Sequence, residues 1–466
     1  MTEQITTNAA QPKKSRTLIF FIASLAISAL LCWLLYVPEF TRSQTYVLFL
    51  LFFSVCLWIT EAIPPFAVAL FILAYLVFTL GNPFFNDAPV KIDQYVNTFS
   101  SSTIWLMLGG FFLARAMTKT RFDERLLRMT LKLSGNKPAN ILIAVMTVTT
   151  FSSMIMSNTA AAAMLVASLS PLLNNKNNSG LSKALLLSIS IGTATGGMGT
   201  IIGTPSNVLT AGILELNNIH VDFLEWMKYG VPVTLLLSGI CCFVLLRLYV
   251  KNKTPINTVF ESNAESSAFS ASKKDRVVVL VVLISTLVLW LTSSVHHISV
   301  SAVSAVPIVA FTLTGIITAD DVKSMPWDVL LLIAGGMSLG LALESTGILA
   351  HYALQMQSLT INPFALILIF AIASMLISNV MSNAATSAIL LPMAFALLPG
   401  FEKESAIAVA LASSAAIFLP VSTPPNAIVY STGLLSIKDF RLGGLLIGIL
   451  GPVLAAIWVM IVRNWM

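Results

Sequence analysis

Apolar runs of about 20 residues recur along almost the whole of this 466-residue chain. Hydrophobic residues make up 57% of it and charged residues only 10%, against roughly 25% charged residues in a soluble domain. So few charges cannot cover a water-soluble surface, and a chain this apolar is not disordered. Runs of this length cross a bilayer as helices. The sequence therefore predicts an all-α polytopic membrane protein.

Eleven runs predict transmembrane helices. The first follows a polar, basic tail, 1–16, and is too long for the apolar part of a signal peptide, so we expect it to be retained. The runs lie at 17–37, 45–62, 64–80, 103–118, 183–213, 230–249, 276–294, 298–318, 327–346, 406–432 and 442–462.

Basic residues predict the orientation of the chain. With the N-terminus in the cytoplasm, 21 of the 26 Lys and Arg fall on the cytoplasmic side. The other five are Arg42, Lys91, Lys228, Lys403 and Arg463. This positive-inside pattern explains the net charge of +6 without nucleic acid as a partner. Segment 119–135 alternates charges with Leu and Met, which predicts a helix lying on the inner membrane surface.

Two further apolar stretches, 139–171 and 362–398, are interrupted by polar clusters. The clusters are Ser152, Ser153, Ser157, Asn158 and Thr159, and Ser378, Asn379, Ser382, Asn383 and Thr386. Each stretch predicts a re-entrant helical hairpin that turns at its cluster. Irregular backbone at membrane depth is tolerated only where it is buried in protein or lines a cavity. The hairpins should therefore face the interior.

Three motif pairs occur in the same order in both halves of the chain. IWLMLGG at 104–110 matches VLLLIAGG at 329–336, SNTA at 157–160 matches SNAA at 382–385, and GTPSN at 203–207 matches STPPN at 422–426. The predicted orientation makes the two copies enter the membrane from opposite sides. Inverted repeats with interrupted helices are typical of secondary transporters.

The repeats predict the division of the chain. Residues 103–250 and 327–466 contain the two repeats, and the polar segment 251–275 is a predicted cytoplasmic linker between them. In each repeat the TPxN-type motif predicts a helix break, at Thr204-Pro205 and Thr423-Pro424, because proline frees a carbonyl and excludes the preceding residue from the helix. Four glycines, Gly192, Gly196, Gly197 and Gly199, predict additional looseness in the span 183–213.

The polar clusters contain no acidic, basic or histidine residue. Neutral hydroxyl, amide and carbonyl oxygens suit Na⁺, whereas proton coupling generally needs a titratable group. Helix N-termini at the hairpin tips suit an anion. Three acidic residues, Glu61, Asp328 and Glu344, lie in or near spans, and Glu344 is expected to lie deeper in its helix; any of them remains an alternative proton site.

Enzymatic motifs are missing from the sequence. The four cysteines, Cys32, Cys56, Cys241 and Cys242, lie inside apolar runs and show no metal-ligand spacing. No nucleophile, metal motif or acid–base pair is evident, so we expect a transporter and no enzyme.

These motifs resemble the divalent anion/sodium symporter family, the group that contains Indy and the sodium–dicarboxylate cotransporters. The similarity covers nearly the whole chain and is strongest at WITEAIPP, SNTA, GGMGTIIGTPSN, SNAAT and LPVSTPPNAIVYSTG. It implies a homodimer with eleven spans per protomer, and a transport domain with two hairpins that moves as an elevator against a scaffold domain. Residues 17–102 and 276–326 would form the scaffold helices.

The resemblance also implies site residues. One Na⁺ site would use Ser153, Ser157, Asn158 and the Gly203 carbonyl. The other would use Ser378, Asn383 and the carbonyls of Met381 and Ser422. Substrate carboxylates would contact Asn158, Thr159 and Asn383. The pairs Thr204-Pro205 and Thr423-Pro424 would close the pocket.

One residue departs from the family pattern. Ala384 follows Ser382-Asn383 where several members have Thr, and the missing hydroxyl could cost about 1.5–3 kcal/mol of binding unless Thr386 or water replaces it. The sequence thus predicts Na⁺-coupled import of dicarboxylates such as succinate, fumarate or malate, or of related tricarboxylates, across a bacterial inner membrane. A Na⁺-independent dicarboxylate exchanger on the same fold stays open, as does a channel.

Overall fold

The computed structural model describes residues 14–86, 91–173, 179–250, 272–356 and 362–465. Within these ranges the chain is helical throughout and forms no strand, which confirms the all-α class. The predicted tail up to residue 13 and the predicted linker up to residue 271 lie outside the described residues.

The α-helices of the described ranges are α1 Lys14–Leu34, α2 Arg42–Thr60, α3 Pro65–Leu80, α4 Asp93–Val96, α5 Ser102–Lys119, α6 Phe122–Ser134, α7 Pro138–Ser153, α8 Asn158–Leu173, α9 Ser179–Met198, α10 Pro205–Leu216, α11 Phe223–Tyr249, α12 Lys273–Leu291, α13 Ser293–His296, α14 Val300–Leu313, α15 Ala319–Lys323, α16 Trp327–Ser345, α17 Ile348–Met356, α18 Pro363–Ser378, α19 Asn383–Leu397, α20 Glu402–Ser413, α21 Pro424–Ser431 and α22 Ile437–Trp465. Two 3₁₀ helices span Asn97–Ser100 and Ile201–Gly203.

Helix length and composition support membrane insertion. Five described helices are long and apolar enough to cross a bilayer: α1, α2, α11, α16 and α22. Large apolar side chains point outward from several helices, for example Trp33 at 73%, Val281 at 59% and Leu313 at 82% exposure. Such an apolar outer surface needs a bilayer to cover it. The protein is therefore an integral membrane protein, while the count of eleven spans stays a prediction.

The interrupted stretches form two pairs of short apolar helices. α7 and α8 are joined by residues 154–157, and α18 and α19 by residues 379–382. Pro138 and Pro363 begin α7 and α18, as the missing amide proton of proline favours at a helix start. Each of these helices has 15 or 16 residues. That is roughly 24 Å, less than the roughly 30 Å hydrocarbon core.

Two interrupted helices lie at the centre of the molecule. α9 is buried along most of its length and packs against α7, α8, α11 and α21. α20 is also buried and packs against α18, α19, α22 and α10. In each half a short helix pair therefore wraps a buried helix, and the buried helix ends in a break before α10 or α21. The same arrangement occurs twice, as the motif pairs predict.

Candidate functional site

We call the connection between α7 and α8, residues 154–157, the first tip, and the connection between α18 and α19, residues 379–382, the second tip. Three oxygen atoms lie close together at the first tip. Ser153 ends α7 and Asn158 begins α8. The Ser153 Oγ lies 2.5 Å from Oδ1 of Asn158 and 2.9 Å from the carbonyl oxygen of Thr193 on α9. A hydroxyl has one proton, so it cannot donate fully to both acceptors. Such a surplus of acceptor oxygens suits a cation.

The second tip repeats this geometry. The Ser378 hydroxyl donates to Oδ1 of Asn383 at 2.7 Å, across the same five-residue spacing. Ser157 and Ser382 also have equivalent roles. The Ser157 hydroxyl accepts a hydrogen bond from the backbone N–H of Ala160, and the Ser382 hydroxyl accepts one from that of Ala385, both at 3.2 Å. These caps hold the first turns of α8 and α19 and direct their N-termini toward the tips.

The first break separates α9 from α10 and the second separates α20 from α21. The two breaks have closely similar backbone geometry. Thr204 and Thr423 have extended backbones, with φ and ψ of −142° and 150° and of −140° and 150°. Each threonine hydroxyl caps the following helix by accepting an N–H at 3.4 Å. The prolines that follow, Pro205 and Pro424, are the first residues of α10 and α21. Both breaks therefore present a helix N-terminus.

Two asparagines hold the free carbonyls at the breaks. The Asn207 amide donates to the carbonyls of Gly197 and Thr200, at 2.9 and 2.8 Å. The Asn426 amide donates to those of Ile417 and Leu419, at 3.1 and 2.9 Å. The side chain thus replaces the backbone donors that the break removes. The Asn of each TPxN-type motif supports the break and is absent from the predicted ligand set.

Each tip is hydrogen-bonded to the break of its own half. At the first, the Thr200 hydroxyl donates to the Met154 carbonyl at 2.5 Å. At the second, the Ser422 hydroxyl donates to Oδ1 of Asn379 at 2.9 Å, and the same oxygen accepts the N–H of Phe418 at 3.0 Å. Tip and break therefore form one unit in each half.

The glycines near the first break are tightly packed, so the expectation of a loose span is wrong. A Cβ on Gly197 would lie 2.6 Å from Cγ2 of Thr204 and 3.0 Å from both amide atoms of Asn158. A Cβ on Gly196 would lie 2.2 Å from the Thr150 carbonyl. These residues lack side chains because α7, α8 and the break approach α9 too closely for one.

The halves also contact each other through hydroxyls. α10 packs against α19, and α21 packs against α8. The Ser206 Oγ lies 2.5 Å from that of Ser387 and 2.9 Å from that of Ser413, and all three residues are fully buried. The Ser190 hydroxyl donates to Oδ1 of Asn426. The two units are thereby joined at the centre of the molecule.

The predicted site residues are not equally accessible. Asn158 and Asn383 are half-buried, as are Pro205, Ser422 and Thr423. Ser157, Thr159 and Pro424 are exposed. The others, Ser153, Gly203, Thr204, Ser378 and Met381, are buried. Among them, side-chain hydrogen bonds join Ser153 to Asn158 and Ser378 to Asn383.

The unusual Ala384 does not mirror its counterpart. Thr159 is exposed, whereas Ala384 is 3% exposed. Thr386, the expected substitute, is fully buried, and its hydroxyl has no hydrogen-bond partner among the described residues. The Thr386 hydroxyl therefore does not face an open pocket in this conformation.

The acidic residues within or near spans lie at helix ends. Glu61 follows α2 with a left-handed φ of 46°, and Asp328 lies in the first turn of α16. Glu344 is in the last turn of α16 and is exposed, so the expectation that it lies deep in its helix is wrong. Neither Glu61, Asp328 nor Glu344 belongs to the tips or the breaks.

Sequence reasoning missed three contributors. The Thr193 carbonyl could not be found, because it belongs to a regular helix and is selected only by the position of Ser153. The close packing of Gly197 is the opposite of the looseness that glycine predicts, although its place beside the TPxN-type motif is a usable signal. Asn379 belongs to the second cluster, but its role as a link to Ser422 depends on the fold.

Taken together, four helix N-termini and a set of neutral oxygens lie at two equivalent tip-and-break units inside a membrane protein. Interrupted helices at matching positions of two repeats are typical of secondary transporters. The chain belongs to the citrate transporter family (CitMHS), which it matches over residues 55–413.

Relatives with sequence similarity agree with this class. The chain is 28% identical over 433 residues to the sodium-dependent dicarboxylate transporter SdcS of Staphylococcus saprophyticus, covering 85% of this chain and 82% of the relative. It is 27% identical over 448 residues to SdcS of Staphylococcus aureus strain USA300, covering 88% of this chain and 84% of the relative. The resemblance seen in the motifs is confirmed.

Solved structures show the same fold at low identity. The YdaH transporter of Alcanivorax borkumensis aligns with a TM-score of 0.55 at 12% identity, over 85% of this chain and 98% of that one. MtrF of Neisseria gonorrhoeae aligns with a TM-score of 0.57 at 14% identity, over 85% and 95%. These likenesses concern the fold alone.

Proposed function

We propose that this protein is a secondary active transporter that couples Na⁺ to the uptake of C4-dicarboxylates such as succinate, fumarate and malate. The observation that carries the proposal is the pair of equivalent tips, where a serine hydroxyl and an asparagine oxygen meet beside a helix break. The sodium-dependent dicarboxylate transporters among its relatives support the same substrate and ion.

The cations bind at the two tip-and-break units. The first Na⁺ is held by Ser153, Ser157, Asn158 and the Gly203 carbonyl, and the contact of Ser153 with Thr193 adds a further oxygen. The second is held by Ser378, Asn383 and the carbonyls of Met381 and Ser422. Hydroxyl and carbonyl oxygens are the ligands that hard cations prefer.

The substrate binds between the units. Its carboxylates contact Asn158, Thr159 and Asn383 at the N-termini of α8 and α19, where the helix dipole favours negative charge. Thr204-Pro205 and Thr423-Pro424 close the pocket. The clusters contain no lysine or arginine, so the bound Na⁺ ions supply the positive field for a dianion. Substrate affinity should therefore depend on Na⁺.

Charge balance sets a minimum stoichiometry for electrogenic import. Three Na⁺ with one dianion carry one net positive charge inward, which gains about 2.3 kcal/mol per 100 mV of potential. The two tips account for two of these ions.

The membrane arrangement follows from the repeats. The protein lies in a bacterial inner membrane with its N-terminus in the cytoplasm, and α7–α8 and α18–α19 are re-entrant hairpins of opposite orientation. They belong to a transport domain that moves as an elevator against a scaffold domain, and the protein assembles as a homodimer. The short lengths of these helices and the repeated packing around α9 and α20 support this arrangement.

The test is uptake of labelled succinate into proteoliposomes, with an inward Na⁺ gradient and with choline in place of Na⁺. Saturable uptake that requires Na⁺ is the expected result. Uptake that ignores Na⁺ but needs internal dicarboxylate would instead identify an exchanger. Citrate is tested in parallel for two reasons. The buried Ala384 provides no hydroxyl for a dicarboxylate, and the matching family is described as citrate transporters.

A further inference from the structure

A groove of about 360 Å³ lies between α7 and α11, outside the tips and breaks. Its rim is formed by Ile143 and Phe151 from α7 and by Leu235 and Phe243 from α11. These four side chains are 45–57% exposed, so the groove opens to the surroundings of the protein. In an integral membrane protein such a surface faces lipid.

Two buried hydroxyls line the floor of the groove, and a third lining hydroxyl, that of Thr147, is exposed. Ser238 and Thr150 line it, and their hydroxyls lie 3.3 Å apart. The Ser238 Oγ also lies 2.7 Å from that of Thr195. Because these hydroxyls are hydrogen-bonded to each other, the groove suits an apolar chain better than a polar ligand.

A positive charge lies at one end of the groove. Arg247 follows Phe243 by one helical turn, and its guanidinium carbon is 5.0 Å from the centre of the Phe243 ring. Arg247 is exposed, and it has no ion pair with any residue that the structure describes. A guanidinium held at the mouth of an apolar groove is well placed to bind a phosphate.

We propose that the groove binds one acyl chain of an anionic phospholipid and that Arg247 binds its phosphate. Charge complementarity favours a phospholipid as the ligand, because Arg247 matches the negative phosphate and the apolar groove matches the acyl chain. The orientation proposed above places this lipid in the inner leaflet; the binding itself does not depend on transport.

Lipid binding would act on the first tip. The groove is built from α7, which ends at Ser153, and the Thr150 carbonyl contacts the backbone of α9 at Gly196. A bound acyl chain fills the space between α7 and α11. The lipid should therefore hold α7 in place and stabilise the whole protein.

Gly239 allows the groove to be filled without disturbing the core. It lines the groove, and a Cβ built on it has no atom within 4 Å. The substitution Gly239→Leu should project into the groove and displace the acyl chain. Leu236→Phe is the matched control, since Leu236 is 48% exposed on the same helix but does not line the groove.

The experiment measures lipid bound to the full-length protein by native mass spectrometry, with phosphatidylglycerol and phosphatidylcholine added in equal amounts. Wild type and Leu236→Phe should retain phosphatidylglycerol preferentially, and Gly239→Leu should lose most of the bound lipid. Arg247→Gln should reduce the preference about fivefold, as one lost charge near a membrane surface predicts. Arg441→Gln, an exposed arginine on α22, is its control.

Equal retention of both lipids by wild type, or full retention by Gly239→Leu, would overturn the proposal. A change of oligomeric state in Gly239→Leu without loss of lipid would overturn it in favour of a second copy as the occupant. Binding of inorganic phosphate that phosphatidylglycerol does not displace would overturn it in favour of a free anion. In each case Na⁺-dependent uptake stays measurable, so the proposed function is tested separately.

A second measurement needs no variant. Phosphatidylglycerol with a photoreactive diazirine in its acyl chain should label peptides containing residues 143–151 and 235–246 of wild type. Labelling spread evenly over outward-facing helices such as α1 and α12 would exclude a specific site.

Discussion

The hydroxyl of Ser153 has one proton and two acceptors within reach, and this imbalance explains the chemistry of the first tip. Oxygens that outnumber protons repel one another unless a cation lies between them. The neighbouring Ser152 is also buried, yet no residue that the structure describes forms a hydrogen bond with its hydroxyl. Two adjacent serines therefore differ only in what they face.

We predict that Ser153→Ala raises the Na⁺ concentration for half-maximal uptake about tenfold, the effect of losing one interaction with a charged group. The measurement is Na⁺-dependent uptake into proteoliposomes. Ser152→Ala is the control and should change this concentration less than about twofold, because it removes a hydroxyl without a partner. Equal shifts in the two variants would contradict the role of Ser153.

At the scale of elements, α9 determines how closely the first tip and the first break approach each other. Gly197 lies between Asn158 and Thr204, and Gly196 lies against the α7 backbone. A buried helix that packs against several others can approach all of them closely only where its side chains are small. The glycines of α9 thus position the oxygens of the site.

We predict that Gly197→Ala abolishes Na⁺-dependent uptake, because its methyl group would displace Thr204 and Asn158. The overpacking should cost about 1–3 kcal/mol, so the protein should still fold with a lowered Tm. Uptake and thermal unfolding of the purified protein measure the two effects.

Gly340→Ala on α16 is the matched control, since its Cβ would lie 3.8 Å from the nearest atoms. It should retain uptake and Tm. Wild-type uptake by Gly197→Ala would show that the close approach is not needed for transport.

On the scale of the whole molecule, ion pairs join elements far apart in sequence. Arg115 and Lys119 at the end of α5 contact Asp321 on α15, with N–O distances of 2.9 and 2.5 Å. The Asp321 carboxylate also accepts the Thr318 N–H at 2.9 Å. Burial alone would raise the pKa of Asp321, but the hydrogen bonds from Lys119, Thr318 and Arg115 hold it well below its usual value.

A lowered pKa means that the folded state stabilises the carboxylate. The contribution of Asp321 to the free energy of unfolding is complete above the unfolded-state pKa of about 3.9. It is lost as the pH falls through the folded-state pKa. Asp321→Asn should therefore lower the free energy of unfolding by about 2 kcal/mol at pH 7, a modest value for a buried pair because Arg115 is partly exposed.

Thermal unfolding of wild type and Asp321→Asn between pH 7 and pH 3 measures this effect. The difference in Tm should stay constant down to about pH 4 and narrow below it. Asp320→Asn is the control: the Asp320 side chain is 89% exposed and pairs with Lys323 on the surface, so the Tm of this variant should match wild type. A difference for Asp321→Asn that widens in acid would contradict the sign of the pKa shift.

The repeat links these scales. The motif pairs predict two related halves, and the Thr204 and Thr423 breaks have nearly the same backbone angles. The halves differ in detail, however. Asn426 accepts a hydrogen bond from Ser190, whereas Oδ1 of Asn207 is buried and meets no donor in the part of the chain that the structure describes. Thr159 is exposed where Ala384 is buried. Repetition in sequence does not determine such differences, because each half is packed against different neighbours.

The helical class, the membrane location and the paired Ser/Asn clusters could be predicted from residue order alone. Apolar length, proline position and polar interruption are local properties, and a bilayer enforces their consequences because every backbone group must be hydrogen-bonded. The partner of each polar atom could not be predicted. Thr193, Gly197 and Asp321 acquire their roles from residues distant in sequence, and only the packing of helices brings those atoms within hydrogen-bonding distance.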